Sequence, residues 1–327
     1  MEVIYGLESF PRQRVPVVAA LGTFDGVHRG HRALIELAVG WAGESGGRCA
    51  AVTFDPHPWQ VIAPPAEPFL LTTLDERLSL LAGLGVDLAG VVKFTSEFRQ
   101  IPAEEWIDLL LRHTAMAGVV CGPNYTFGRD RTGTVRLLQT LATRRSFEVR
   151  VAPLIKVAGT LVSSTAIREL IRTGGVRQAA ELLGRWYAIR GEVIRGDERG
   201  KSLGFPTANM LPPRDKVCPA AGIYGAFART GRAVYPAAVS IGTRPTFGAG
   251  RLLVEAFLID YHGDLFGEPL ELRFVQRLRD EVAFPSVETL VQQMHADVAE
   301  ARALLAAVRP DEPESTRSTR STRSNSN

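Results

Sequence analysis

Cysteine is scarce in this chain, with three in 327 residues. Cys49, Cys121 and Cys218 are odd in number and far apart, which excludes a disulfide framework and fits reduced thiols. No apolar run approaches the roughly 18 residues that a membrane span needs, so no membrane partner is expected. The opening MEVIYGLESFPRQR has no basic start followed by an apolar core, so no secretion signal is expected and a cytoplasmic location is. Neither charge sign dominates. The formal net charge is +3, and Arg317, Arg320 and Arg323 account for it, since 3 minus 3 leaves zero. Those arginines sit in Ser-Thr-Arg repeats of a tail with almost no apolar residues. Such a tail is expected to be disordered and solvated. The rest has no basic stripe, so no nucleic-acid partner is expected. What remains, 45% hydrophobic and 22% charged, is the composition of a globular protein long enough for two domains.

The chain has two rhythms. Up to about Gly184, strand-like apolar runs (17–21, 49–54, 88–94, 118–122, 147–152) alternate with helix-like patterns (32–41, 74–84, 103–114, 135–144). That alternation predicts an α/β domain with a doubly wound parallel sheet over residues 1–184, with ligands beyond the carboxyl ends of its strands. From Trp186 onward strand-like runs follow one another (187–194, 223–228, 234–241, 252–260, 270–278) until an amphipathic stretch at 286–308. This predicts a mostly antiparallel β-barrel with a C-terminal helix over residues 185–309, then a tail over 310–327.

The most informative segment is Gly22-Thr23-Phe24-Asp25-Gly26-Val27-His28-Arg29-Gly30-His31. It joins a buried strand to a helix whose apolar face is Ala33, Leu34, Leu37 and Ala38. A helix N-terminus offers unpaired N–H groups and partial positive charge, which suit phosphate. Two imidazoles at that mouth can bond phosphate oxygens and stabilise charge that develops in phosphoryl transfer. In Ser163-Ser164-Thr165-Ala166-Ile167-Arg168, a serine can cap the following helix. Arg168 in the first turn opposes the macrodipole, a conflict that a bound polyphosphate removes. Asn124, after the strand at 118–122, can read a nucleotide or form an Asx turn. His57, in Asp-Pro-His-Pro, can line a cleft or belong to a rigid connection.

In the second half, Gly200-Lys201-Ser202 fails as a P-loop, because Gly196 and Gly200 stand one residue too close. A glycine-rich flap over nucleotide fits better, and Lys201 reads equally as solvated. In an extended segment Thr207 and Asn209 share one face and offer two oxygens, although Pro-Thr-Ala-Asn alone reads as a turn. Glu255 lies in a run that is apolar on both faces. A carboxylate there is costly unless partnered or functional, and half-burial suits a general base. A buried ion pair is the alternative. Arg279 can contact phosphate or form a surface salt bridge.

His-x-Gly-His at a strand-to-helix turn resembles the signature of nucleotidylyl transferases that use no protein nucleophile. GTFDGVHRGH (22–31), TFDPHP (53–58), NYTFG (124–128) and SSTAIR (163–168) together resemble the adenylyltransferase half of the prokaryotic bifunctional riboflavin kinase/FAD synthetases. GEVIRGDERGKSLGFPTAN (191–209), AGIYGAF (221–227), SIGTRPTFG (240–248) and VEAFLIDYHGDLFG (254–267) resemble that family's kinase half.

The resemblance implies riboflavin, FMN and ATP as small-molecule partners, Mg²⁺ as cofactor, and two sites. In the first, His28, His31 and Arg168 act on transferring phosphates. Gly22, Thr23, Phe24, Asp25, Gly26, Asn124, Ser163, Ser164 and Thr165 would bind ATP. In the second, Glu255 would activate the flavin hydroxyl, and Thr207 and Asn209 would hold Mg–ATP. Gly196, Gly200, Lys201, Gly204, Phe205 and Pro206 would complete the nucleotide cover. Phe54, His57 and Arg279 are implied as flavin contacts. Many members carry an acid where Asn124 stands, so a kinase with a weak or inactive adenylyltransferase half stays open. So do a flavin-sensing regulator and weak self-association.

Overall fold

The computed structural model describes residues 1–10, 14–196, 200, 203–231, 233–243 and 252–311. The Ser-Thr-Arg tail, Lys201 and most of 240–248 lie outside the described residues. The chain divides into two compact units, one spanning Met1–Ala166 and one starting at Ile167.

The first unit runs β1 (Glu2–Tyr5), β2 (Val17–Leu21), α1 (Arg29–Glu44), β3 (Arg48–Asp55), α2 (Pro58–Ile62), α3 (Leu74–Gly83), β4 (Leu88–Lys93), α4 (Ala103–His113) and β5 (Met116–Cys121). It continues with β6 (Thr126–Phe127), β7 (Gly133–Thr134), α5 (Val135–Arg145), β8 (Glu148–Val151), β9 (Lys156–Val157) and β10 (Thr160–Leu161). Six strands form one sheet in the order β1-β4-β3-β2-β5-β8, and every pairing is parallel.

Period-2 alternation sorts the buried residues. Val17, Ala19 and Leu21 join Ile107 and Leu110 of α4 and Leu138 and Leu141 of α5. Val18 and Ala20 join Ile35, Ala38 and Trp41 of α1 and Leu81 of α3. Helices thus cover both faces, which is why the central strands read as unbroken apolar runs. All five expected strands are present, within two residues at each end. The edge strand β1 is an addition.

In the second unit α6 (Ser164–Arg172, whose first residues belong to the first unit) and α7 (Val176–Leu183) precede β11 (Tyr187–Ile194), β12 (Ala208–Met210), β13 (Gly222–Thr230), β14 (Ala233–Thr243), β15 (Leu252–Leu258), β16 (Pro269–Arg279) and α8 (Val287–Ala306). The strands close into an antiparallel barrel in the order β11-β12-β15-β14-β13-β16. On the outer face Phe227, Ala238 and Val275 pack with Ala180 of α7 and with Ala301 and Leu305 of α8. Ser286 caps α8 by accepting from Thr289 N–H at 3.3 Å. Its hydroxyl satisfies a donor that the first helical turn leaves open.

Candidate active sites

β2 is flanked by β3 on one side and β5 on the other, so the chain leaves it in opposite directions. Crevices open at such points, outside the carboxyl ends of the strands. A cleft of about 770 Å³ lies there. One end is formed by Gly22, Thr23, Phe24 and His31, which follow β2, and by Gly122–Tyr125, which follow β5. Much of the rest is aromatic, with Phe54, Phe94, Phe98, Trp106 and Phe127 in its wall beside Arg99, Asp130 and Arg131. Phe54 lies 5.7 Å from Phe94, 5.9 Å from Phe98 and 6.0 Å from Trp106, ring centre to ring centre. Burial pushes the Tyr125 phenol up, so the ring stays neutral. A wide, flat heteroaromatic ring suits such a surface.

The turn after β2 is tight, with Phe24 at φ 50 and Gly26 at φ 86. His28 is the N-cap of α1, and its Nδ1 accepts from His31 N–H at 3.2 Å. The two imidazoles stack at 3.7 Å and 11°, and Phe24 meets His31 edge-on at 5.4 Å. A side chain at Gly30 would press on the His28 ring at 3.2 Å. Glycine at this position therefore leaves the pair room. Ser163 accepts from Ala166 N–H at 3.2 Å as a cap, and Ser164 Oγ donates to the Asp25 carbonyl at 2.8 Å. The start of α6 is thereby fastened to the turn that opens α1. Neither helix has an acidic residue in its first turn, so both termini keep their positive character for an anion. Arg168 lies one turn further along α6 and is 7% exposed.

Asp25 faces inward with no exposure. Its carboxylate accepts from Leu71 N–H, Thr72 N–H and the Thr72 hydroxyl at 3.0–3.1 Å. Its place is under the turn, holding residues 71–72, and it is not part of the cleft wall. Asp25→Ala would leave buried donors unpaired, and a stability loss of about 3 kcal/mol is expected in chemical denaturation of the first unit. His57 caps α2 by accepting from Trp59 N–H, and Gln60 completes the capping box. The residue is 4% exposed and its ring meets Phe69 edge-on at 5.1 Å, so the histidine stiffens the connection. Asn124 is exposed in a turn closed by Tyr125 N–H to Gly122 carbonyl at 3.1 Å. Thr165 is exposed.

The barrel holds a second arrangement. Glu255 on β15 is in register with Asn209 on β12 and with Ser240 on β14. Directly opposed residues share a face, so amide, carboxylate and hydroxyl form one outward row. Glu255 is half-buried. Asn209 is 6% exposed, and its Nδ2 donates to the Thr207 carbonyl at 3.3 Å. Its Oδ1 is buried without a hydrogen-bond partner among the described residues. A Cβ at Gly196 would overlap the Asn209 amide, so a larger residue just after β11 would displace that side chain. Phe205 closes this side, with its ring 5.3 Å from Phe257 and 4.8 Å from His295 of α8. Phe205 N–H bonds the Gly200 carbonyl at 2.8 Å, ahead of Pro206.

Glu271 on β16 shows what a purely structural strand carboxylate looks like here. It is clamped by Arg190 and Arg273. Burial alone would raise its carboxyl, but the two arginines hold it below the usual range. Arg279 pairs with the buried Asp297 of α8 at 2.8 and 2.6 Å.

Residues 11–166 match the family model described as FAD synthetase, and residues 183–305 match the one described as riboflavin kinase. The bifunctional riboflavin kinase/FMN adenylyltransferase of Listeria monocytogenes is 37% identical, over 88% of this chain and 92% of that protein. The chain belongs to the bifunctional riboflavin kinase/FMN adenylyltransferase family. The Escherichia coli K12 member is 34% identical, over 94% of this chain and 98% of that protein. A solved Streptococcus pneumoniae structure, named a macrolide-efflux protein, has a TM-score of 0.85 at 30% identity. It covers 92% of this chain and 99% of its own. Among the described residues no helix is long and apolar enough to cross a membrane.

Family membership fits the doubly wound domain and the barrel with its helix, both expected from sequence. Sequence reading singled out Phe54 among the cleft aromatics and passed over Phe94, Phe98 and Trp106. The available signal was position, because Phe94 directly follows a parallel strand. It also passed over Arg77 of α3, which is buried at 1% exposure.

Proposed function

We propose that this chain makes FMN from riboflavin and ATP, then FAD from FMN and a second ATP, with residues 185–309 carrying the first reaction and 1–184 the second. The observation that carries this reading is the stacked His28–His31 pair beside an aromatic cleft beyond the sheet's carboxyl edge. One end of that cleft suits polyphosphate and the other a flavin.

In adenylyl transfer an FMN phosphate oxygen attacks the α-phosphorus of ATP. The bond from the α-phosphorus to the α,β-bridging oxygen breaks, and the β- and γ-phosphates leave together as pyrophosphate. The substrate is its own nucleophile, so the protein's work is placement and charge stabilisation. His28 and His31 serve the phosphates, with the N-termini of α1 and α6 beside them. In the barrel, Glu255 takes the proton of the riboflavin 5′-hydroxyl as its oxygen attacks the γ-phosphorus, and ADP leaves.

The buried, unpartnered Asn209 Oδ1 fits a hard cation that takes oxygen ligands. Asn209 and the Thr207 hydroxyl would hold Mg²⁺, with ATP oxygens and water for the rest of its shell. When bound, the ion neutralises phosphate charge. A cytoplasmic location, where ATP is abundant, goes with this reading.

The test is chromatography of flavins formed with ATP and Mg²⁺, starting separately from riboflavin and from FMN. FMN from the first and FAD from both are expected, and chelation of Mg²⁺ should stop both reactions. FMN from riboflavin with added FMN left unchanged would reduce the reading to a kinase. Flavin binding without ATP consumption would replace it with a sensor.

A further inference from the structure

Beneath the phosphate-facing turn lies a cation that no step above uses. Arg77 is on α3, whose N-terminus is fixed by a capping box between Thr73 and Glu76. It shares the buried side of that helix with Leu78 and Leu81 and is 1% exposed. Its Nη1 donates to Thr53 Oγ1 at 3.1 Å and to the Phe54 carbonyl at 3.0 Å. Thr53 is itself wholly buried, and its hydroxyl donates to the Thr23 carbonyl at 2.8 Å. A hydrogen-bonded line thus runs from α3, across the carboxyl end of β3, to the turn that carries Thr23 and Phe24. Burial pulls the Arg77 guanidinium down from its usual range, while Asp25 and Asp55 favour its charge.

A methionine would fill this space without desolvating an ion, and such replacements are often neutral or stabilising. The guanidinium does two things that hydrocarbon cannot. Its Nη1 ties two strand-end groups to one point. It also sets positive charge against the buried Asp25, directly under a turn that must receive polyphosphate.

We infer that Arg77 is a positioning residue for adenylyl transfer. Through Thr53 it holds the Thr23 carbonyl, and through its own bond it holds the Phe54 carbonyl. The polyphosphate turn and the flavin wall therefore keep one spacing. This rests on the reading of the cleft as the adenylyl-transfer site.

The experiment uses the full chain and varies ATP in the conversion of FMN to FAD, with riboflavin phosphorylation measured in parallel. Arg77→Met is expected to raise the KM for ATP roughly tenfold, and Arg77→Lys to bring it back within about threefold. Thr53→Val should raise it several-fold and add little in the Arg77→Met background, because both remove one line of contacts. Phosphorylation of riboflavin should stay unchanged in all three. A smaller folded fraction lowers the apparent kcat and leaves KM where it was, so a KM shift separates positioning from mere stability. Unchanged KM for ATP in Arg77→Met and Thr53→Val overturns the inference. If Arg77→Met does not fold, the near-isosteric Thr53→Val decides alone. A wild-type chain that forms no FAD overturns the adenylyl-transfer reading and this inference with it. Wild-type FAD formation with unmoved KM overturns the inference alone.

Discussion

FAD formation from FMN is expected to fall about 10²- to 10³-fold in His31→Ala, the usual effect of removing one preorganised donor from a charge-stabilising site. The geometry makes this substitution clean. His31 contributes its backbone N–H to His28 Nδ1, and alanine keeps that bond, so the cap of α1 survives. What disappears is the ring that stacks on His28 at 3.7 Å and stands in the cleft wall. His28→Ala is a different experiment. It removes an imidazole and the cap together, so about 1 kcal/mol of helix stability should go with the activity. Riboflavin phosphorylation in the same sample reports on the barrel and should not move in either variant. His31→Ala with wild-type conversion of FMN to FAD, measured by chromatography at saturating ATP, would remove the histidine pair from the mechanism.

Local pattern carried the architecture, and non-local pairing hid most of the site. The four inner strands are visible because both of their faces are buried, so Val17–Leu21 has no polar alternation to blur it. β1 is four residues long with Ile4 as its one buried side chain, too little signal for a strand. α1 starts three residues earlier than its apolar periodicity does, because its first residues, Arg29, Gly30 and His31, bring no apolar side chain to the core and His31 lines the cleft. The row of Asn209, Glu255 and Ser240 is set by barrel register between segments far apart in the chain. Sequence could propose each residue, but not that they adjoin. The cleft aromatics converge for a similar reason, since parallel strands deliver their carboxyl ends to one edge. Arg77 was hidden because a charged residue in an amphipathic helix ordinarily marks the solvent face.

Glu255→Gln is expected to cut riboflavin phosphorylation by about 10²- to 10⁴-fold, the range for a lost general base. FAD formation from supplied FMN should stay at the wild-type level. Glutamine keeps the shape of the side chain and its capacity for hydrogen bonds, so the row with Asn209 and Ser240 can persist. Only the ability to accept the hydroxyl proton is removed. The KM for ATP should therefore change little while kcat collapses. A structural carboxylate predicts the opposite pattern, as Glu271 does. Neutralising Glu271 between Arg190 and Arg273 should lower the stability of the barrel by about 3 kcal/mol, with phosphorylation by the folded fraction unaffected. If Glu255→Gln behaves that way, with wild-type turnover and a lowered unfolding midpoint, the base must be sought elsewhere on the outward face. If kcat falls and the midpoint holds, β15 contributes its one strand-borne carboxylate to chemistry and not to the fold.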